Sequence, residues 1–92
     1  MDYEKVFLGE NEEEVTYGKH AIWVTYSRST SIKSVTYRIN SNILEVEFVN
    51  GSKYDYAEVP YDKFAELMNA NSVGAYIAKE IKPKHEFCKV SF

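Results

Sequence analysis

Three short segments of the chain carry residue types that could hold a ligand. Tyr26-Ser27-Arg28-Ser29-Thr30-Ser31 gathers hydroxyl side chains around one arginine beside an aromatic ring. That set suits a phosphate or a ribose, because a guanidinium forks onto phosphate oxygens and hydroxyls both donate and accept. Asn71-Ser72-Val73-Gly74 reads as the start of a helix, where backbone N–H groups lack partners and the dipole end is positive. The small Ser72 and Gly74 would let an anion come close. Tyr54-Asp55-Tyr56 places two rings two residues apart, able to stack on a base. Each segment also has an ordinary structural reading: a solvated polar turn, a capped and closely packed helix, and a hydrophobic layer, respectively. The candidate ligand-binding residues are thus Tyr26, Arg28, Ser29, Tyr54, Tyr56, Asn71, Ser72 and Gly74.

Signals for catalysis are missing from the sequence. It holds no phosphate-binding glycine loop, no Gly-x-Ser-x-Gly elbow and no His-Glu-x-x-His helix, and neither His20 nor His85 has a nucleophile beside it. Glu45 and Glu47 sit two apart on one strand face, the spacing of solvated surface residues. Cys88 reads as a small buried hydrophobe and not a nucleophile; as the lone cysteine it excludes an intramolecular disulfide and a cysteine-rich zinc site. The expectation is a non-enzymatic protein without metal or cofactor.

The elements that must position these residues fit into one domain of 92 residues, since a second core needs more chain. Hydrophobic residues at 45% and charged residues at 27% are those of a folded globular domain; aromatics, at 15%, are plentiful. The net charge of −3 is unevenly spread. Residues 1–14 hold six acids against Lys5, a net −5, and the rest of the chain carries ten basic residues against eight acids, a net +2. So weakly basic a body is not that of a duplex-DNA binder, which must neutralise many phosphates. Residues 1–14 read as an acidic, solvated arm. No apolar run spans a membrane and no signal peptide opens the chain, so a cytoplasmic location is the default expectation.

Residues 15–59 carry β patterning. Strands are predicted at 15–17, 21–26, 32–39 and 43–48, with Lys33, Val35, Tyr37 and Ile39 on one face of the third. Asn50-Gly51 marks a hairpin. A three-residue loop, Val49-Asn50-Gly51, pairs Val46 with Tyr54, Leu44 with Tyr56 and Glu47 with Lys53; a two-residue loop would set Phe48 beside Lys53. The preferred register turns both tyrosines inward and places Glu45 opposite Asp55. Pro60 opens a helix over residues 61–69 with a Phe64, Leu67, Met68 stripe, and Ser72 caps a second with Val73, Ile77 and Ile81, ended by Pro83. Residues 85–92 alternate as a last strand would. The fold class is α+β: an antiparallel sheet of five or six strands followed by two C-terminal helices packed on one face.

Ser29, Ile32, Tyr37, then Leu44-x-Val46-x-Phe48-x-x-Gly51-x-x-Tyr54-x-Tyr56-x-x-Val59-Pro60, Phe64, Leu67, Ala70-x-Ser72-x-Gly74-x-Tyr76 and Ile81 form one spaced pattern. Over residues 29–90 the sequence resembles the KTSC domain, named after the C-terminal extension of lysyl-tRNA synthetase and also found as a stand-alone protein of bacteria and phages. The resemblance implies an RNA-binding role, which has been suggested for the family. The chain departs from the pattern after the second helix, where it has Lys79, Lys82, Lys84 and His85 in place of arginines, keeping charge without the bidentate grip. In layout and size it also looks like phage Thoeris anti-defence sponge proteins, which sequester cyclic ADP-ribose-type signals without degrading them.

These observations lead to the expectation of a non-catalytic domain that binds a small nucleotide-like anion. Arg28 and the Ser72-to-Gly74 backbone would hold phosphate while Tyr26, Tyr54 or Tyr56 stacks on the base. One chain so small encloses little, so a homo-oligomer, a dimer or higher, is expected to close the pocket. The alternatives are a single-stranded RNA-binding module and a protein-interaction adaptor.

Overall fold

The computed structural model describes residues 5–8 and 13–91. Among these, strands β1 (Lys5–Leu8), β2 (Glu14–Tyr17), β3 (Ala21–Thr25), β4 (Ile32–Arg38), β5 (Ile43–Phe48), β6 (Lys53–Tyr56) and β7 (Phe87–Ser91) form one sheet in the order β1 to β7, every neighbouring pair antiparallel. Helix α1 (Tyr61–Met68) and helix α2 (Val73–Tyr76), which runs on into a π-helical turn (Ile77–Ile81), lie between β6 and β7 in the chain. The two C-terminal helices follow the first six strands, as expected, and the last strand read at residues 85–92 is β7. β1 falls inside the segment expected to be a solvated arm: Val6-Phe7-Leu8 is a strand-forming run that pairs with β2. Of the acidic run 10–14, residues 10–12 lie outside the described residues.

Cross-strand register shows how the core forms. Val15, Val24, Val35, Val46 and Tyr54 stand side by side in one row across the sheet, and Ile22, Tyr37, Leu44 and Tyr56 make a second row on the same face. The helical layer covers these rows with Phe64, Leu67, Val73, Ile77 and Ile81, all buried. One side chain ties the layers together. The Tyr37 ring stacks on Phe64 at 4.7 Å, its hydroxyl donates to the Val59 carbonyl at 2.8 Å, and Asn42 Nδ2 donates to that hydroxyl at 2.8 Å. A buried phenol needs such partners, because an unpaired one costs about 1–3 kcal/mol.

The hairpin register is the one expected: Glu47 pairs with Lys53, Val46 with Tyr54, Glu45 with Asp55 and Leu44 with Tyr56. Gly51, at φ 96°, takes the left-handed position and donates its N–H to the Phe48 carbonyl. The opposed carboxylates of Glu45 and Asp55 are bridged by Arg38, whose guanidinium reaches Glu45 at 2.8 Å and Asp55 at 3.4 Å.

Two local expectations fail. Lys33 was placed on the face of Val35 and Tyr37, yet it is exposed while Ile32 and Val35 are both buried. The register slips between Ile32 and Ser34, and this bulge turns two consecutive apolar positions inward. Cys88, expected to be buried, is exposed, because it sits on the edge strand β7. In the second helix the Lys82 N–H reaches back to the Ile77 carbonyl at 2.9 Å, a wider turn than α.

Candidate functional site

The loop between β3 and β4 folds on itself before it meets any ligand. Tyr26 N–H bonds to the Lys33 carbonyl at 2.9 Å, closing the loop, and Ser29 Oγ accepts from Ser31 N at 3.3 Å and Ile32 N at 3.0 Å. This hydroxyl brace is what Ser supplies at a turn. Val49 N–H, bonded to the Ser31 carbonyl at 3.0 Å, pins the loop to the hairpin. On the helical side Ser72 caps α2, its Oγ accepting from Ala75 N at 3.2 Å. Gly74 lies against Ser31: a Cβ there would overlap Ser31 Oγ. The absent side chain at Gly74 is thus already used for loop–helix contact.

Loop and helix start enclose a cavity of about 230 Å3, lined by Tyr26, Arg28, Ser29, Thr30 and Ser31 on one side and by Leu67, Met68, Ala70, Asn71, Ser72, Val73 and Gly74 on the other. Six of the eight residues singled out in the sequence, Tyr26, Arg28, Ser29, Asn71, Ser72 and Gly74, meet in this one space. Tyr54 and Tyr56 do not. They line a separate cleft with Phe48 and Phe87, so a base stacked on either tyrosine would not share the cavity of Arg28. Tyr56 is in addition buried, at 2% exposure.

The residue missed in the sequence is Glu13. It is buried and lines the cavity, and its charge together with burial, the larger cause, pushes the Tyr26 phenol above its ordinary pKa. Tyr26 is therefore a hydroxyl donor throughout the physiological range. A signal for Glu13 was present: it stands two residues before Val15, so the alternation that buries Val15 carries Glu13 to the same face. The cavity consequently pairs an arginine with a carboxylate. Phosphate suits the first, and a sugar hydroxyl, which can donate, suits the second.

Among the described residues no three His, Cys, Asp or Glu stand together in a way that could hold a metal ion. No helix among them is long and apolar enough to cross a membrane. Glu45 and Glu47 lie on the sheet face away from the helices, engaged by Arg38, Lys53 and Lys33.

Comparison with known proteins agrees with the pattern of spaced residues. The KTSC domain model matches residues 28–87. The chain belongs to the KTSC domain family. A KTSC domain protein of Yersinia pestis, known from a crystal structure, superposes with a TM-score of 0.68 at 30% identity, covering 76% of this chain and 97% of that one. An uncharacterized protein of Stutzerimonas stutzeri is 38% identical over 58 residues, 63% of this chain and 82% of its own length. A lysine–tRNA ligase of Trichormus variabilis is 40% identical over 60 residues, 65% of this chain but 11% of the ligase. The KTSC chain thus corresponds to a small part of that enzyme.

Proposed function

We propose that this KTSC domain is a non-catalytic binding module that holds a nucleotide-like ligand by its sugar–phosphate end in the loop–helix cavity. The observation that carries the reading is the convergence of three distant segments, at Glu13, residues 26–31 and residues 67–74, on one space with mixed polar and apolar walls. In it Arg28 faces phosphate, Glu13 accepts from a ribose hydroxyl, and Tyr26 covers the sugar or base. The same division, acid to ribose and cation or helix end to phosphate, serves dinucleotide-binding folds.

Size supports the partial enclosure. A cavity of about 230 Å3 is smaller than the ~300–1,000 Å3 of ordinary ligand pockets, so a dinucleotide would protrude, and a second copy of the chain would supply the remaining wall. Sequestration of a cyclic ADP-ribose-type signal, without degradation, is the finer form of this reading.

The test is calorimetric titration with ADP-ribose and with its cyclic form, on the unaltered protein and on Arg28→Ala. Arg28→Ala should weaken binding at least tenfold, the cost of a lost charge-assisted contact. Equal affinity in both proteins would remove the cavity from consideration. A steep fall in affinity with salt would point instead to a strand-tracking groove for RNA, the polymer charged by the ligase relatives, because a closed cavity responds far less.

A further inference from the structure

The wide π turn ends at Lys82, and this residue meets the corner of the sheet formed by the β5–β6 hairpin and β7, where it lines a cleft with Phe48, Asn50, Ser52, Tyr54 and Phe87. Three aromatic rings stand at this corner over the buried Tyr56. Phe87, at 62% exposure, is among the most exposed large apolar side chains. Tyr54 meets Phe87 edge-on, with ring centres 5.5 Å apart at 86°, and meets Phe48 at 5.9 Å and 79°. The crossed rings pack edge to face, and with Asn50, Ser52 and Lys82 they line a cleft of about 330 Å3.

Two ammonium groups flank the rings. Lys82 Nζ lies 5.0 Å from the centre of Phe48 and Lys89 Nζ 5.9 Å from that of Tyr54. Among the described residues neither lysine pairs with a carboxylate, and none of the residues lining the cleft is acidic. Asn50 Oδ1 accepts from Ser52 N at 2.9 Å and from Ser52 Oγ at 2.6 Å, which makes the hairpin wall rigid.

We propose that this aromatic cleft is a second binding site, which takes a nucleobase carrying a phosphate. Exposed ring faces fit a planar heterocycle, the two ammonium groups fit an anion attached to it, and an acid-free wall has nothing to repel that anion. The occupant is a nucleotide, either free or as one unit of a single strand. This site shares no lining residue with the loop–helix cavity and stands or falls independently of it.

The experiment is an NMR titration of the whole protein with adenosine 5′-monophosphate in one arm and single-stranded hexaadenylate in the other, following the ring protons of Phe87 and Tyr54. At least one arm should shift both rings in a saturable way. Comparable affinity per nucleotide assigns the site to free nucleotides, and binding of the hexamer alone assigns it to a strand. Phe87→Ala should weaken the interaction about 5- to 150-fold, the usual loss of one stacked base. Lys82→Gln should reduce its salt dependence. No ring shift in either arm, undiminished affinity in Phe87→Ala, or ring shifts that follow protein concentration and not nucleotide, which would mean a second copy covers the cleft, each overturns the proposal.

Discussion

The loop–helix cavity draws its wall from three segments far apart in the sequence, whereas the aromatic cleft is made almost wholly by one hairpin and the strand beside it. The cavity has mixed polar and apolar walls and carries both signs of charge, with Arg28 and the buried Glu13; the cleft is aromatic, with Lys82 in its wall and no acid. A small sheet with one helical layer can thus present two chemistries. The helix start presses on the β3–β4 loop at one end, and the helix end brings Lys82 to the hairpin at the other. What differs between them is how far the walls depend on packing. Gly74 against Ser31 ties the cavity to the helical layer, while Phe87, exposed on the edge strand, touches only the rings of Tyr54 and Tyr56 among the described aromatic contacts.

The largest effect should come from the buried residue at the floor of the cleft. Tyr56→Ala removes a buried ring from the row of Leu44 and Tyr37, and about 3–5 kcal/mol of stability should go with it in urea unfolding. Phe87→Ala, at the mouth of the same cleft, should stay within about 0.5 kcal/mol. Equal losses would mean that the cleft belongs to the core. Next comes Gly74→Val, which forces Ser31 and its loop away from α2. It should cost about 1–3 kcal/mol and abolish binding at the cavity while the Phe87 and Tyr54 resonances keep their nucleotide response.

A smaller effect appears at alkaline pH, to which Tyr56 in the cleft also contributes, since burial raises its phenol too. The Tyr26 phenol is raised above its ordinary value of 10.0, so the folded chain holds this proton where the unfolded chain releases it. Its contribution is complete below about pH 10 and falls away as pH rises further, by at most about 1.4 kcal/mol per pH unit. Tyr26→Phe should flatten that alkaline loss in thermal unfolding followed from pH 9 to 11. An unchanged slope would show that Tyr26 is solvated.

Much of the sheet was legible because its signals are local. The alternation of Leu44, Val46 and Phe48 and the Asn50-Gly51 turn determine a register that needs no distant information, and that register is found. The cavity was legible in its parts, since hydroxyl, arginine and capping residues advertise themselves singly. Their meeting was not, because no sequence rule brings residue 28 beside residue 72. Glu13 was hidden by the acids around it, although its spacing from Val15 marked its face. The separation of Tyr54 and Tyr56 from Arg28 was hidden for a different reason: the tyrosines share the inward face of the sheet with the core, but that face is long enough to end in two different places. The Lys33 bulge and the π turn at Ile77–Ile81 each insert one residue into a periodic pattern, which leaves the apolar count unchanged and so leaves no trace in it.

The central claim is that the KTSC domain carries a nucleotide-like ligand in the loop–helix cavity and does not transform it. Native mass spectrometry of the freshly purified protein, side by side with Arg28→Ala, tests this most directly. The unaltered protein should carry a nucleotide-sized mass that is released on mild heating and is chemically unchanged after prolonged incubation, and Arg28→Ala should lack it. Bare polypeptide in both samples, an equal load on Arg28→Ala, or a released mass altered by incubation would contradict the claim.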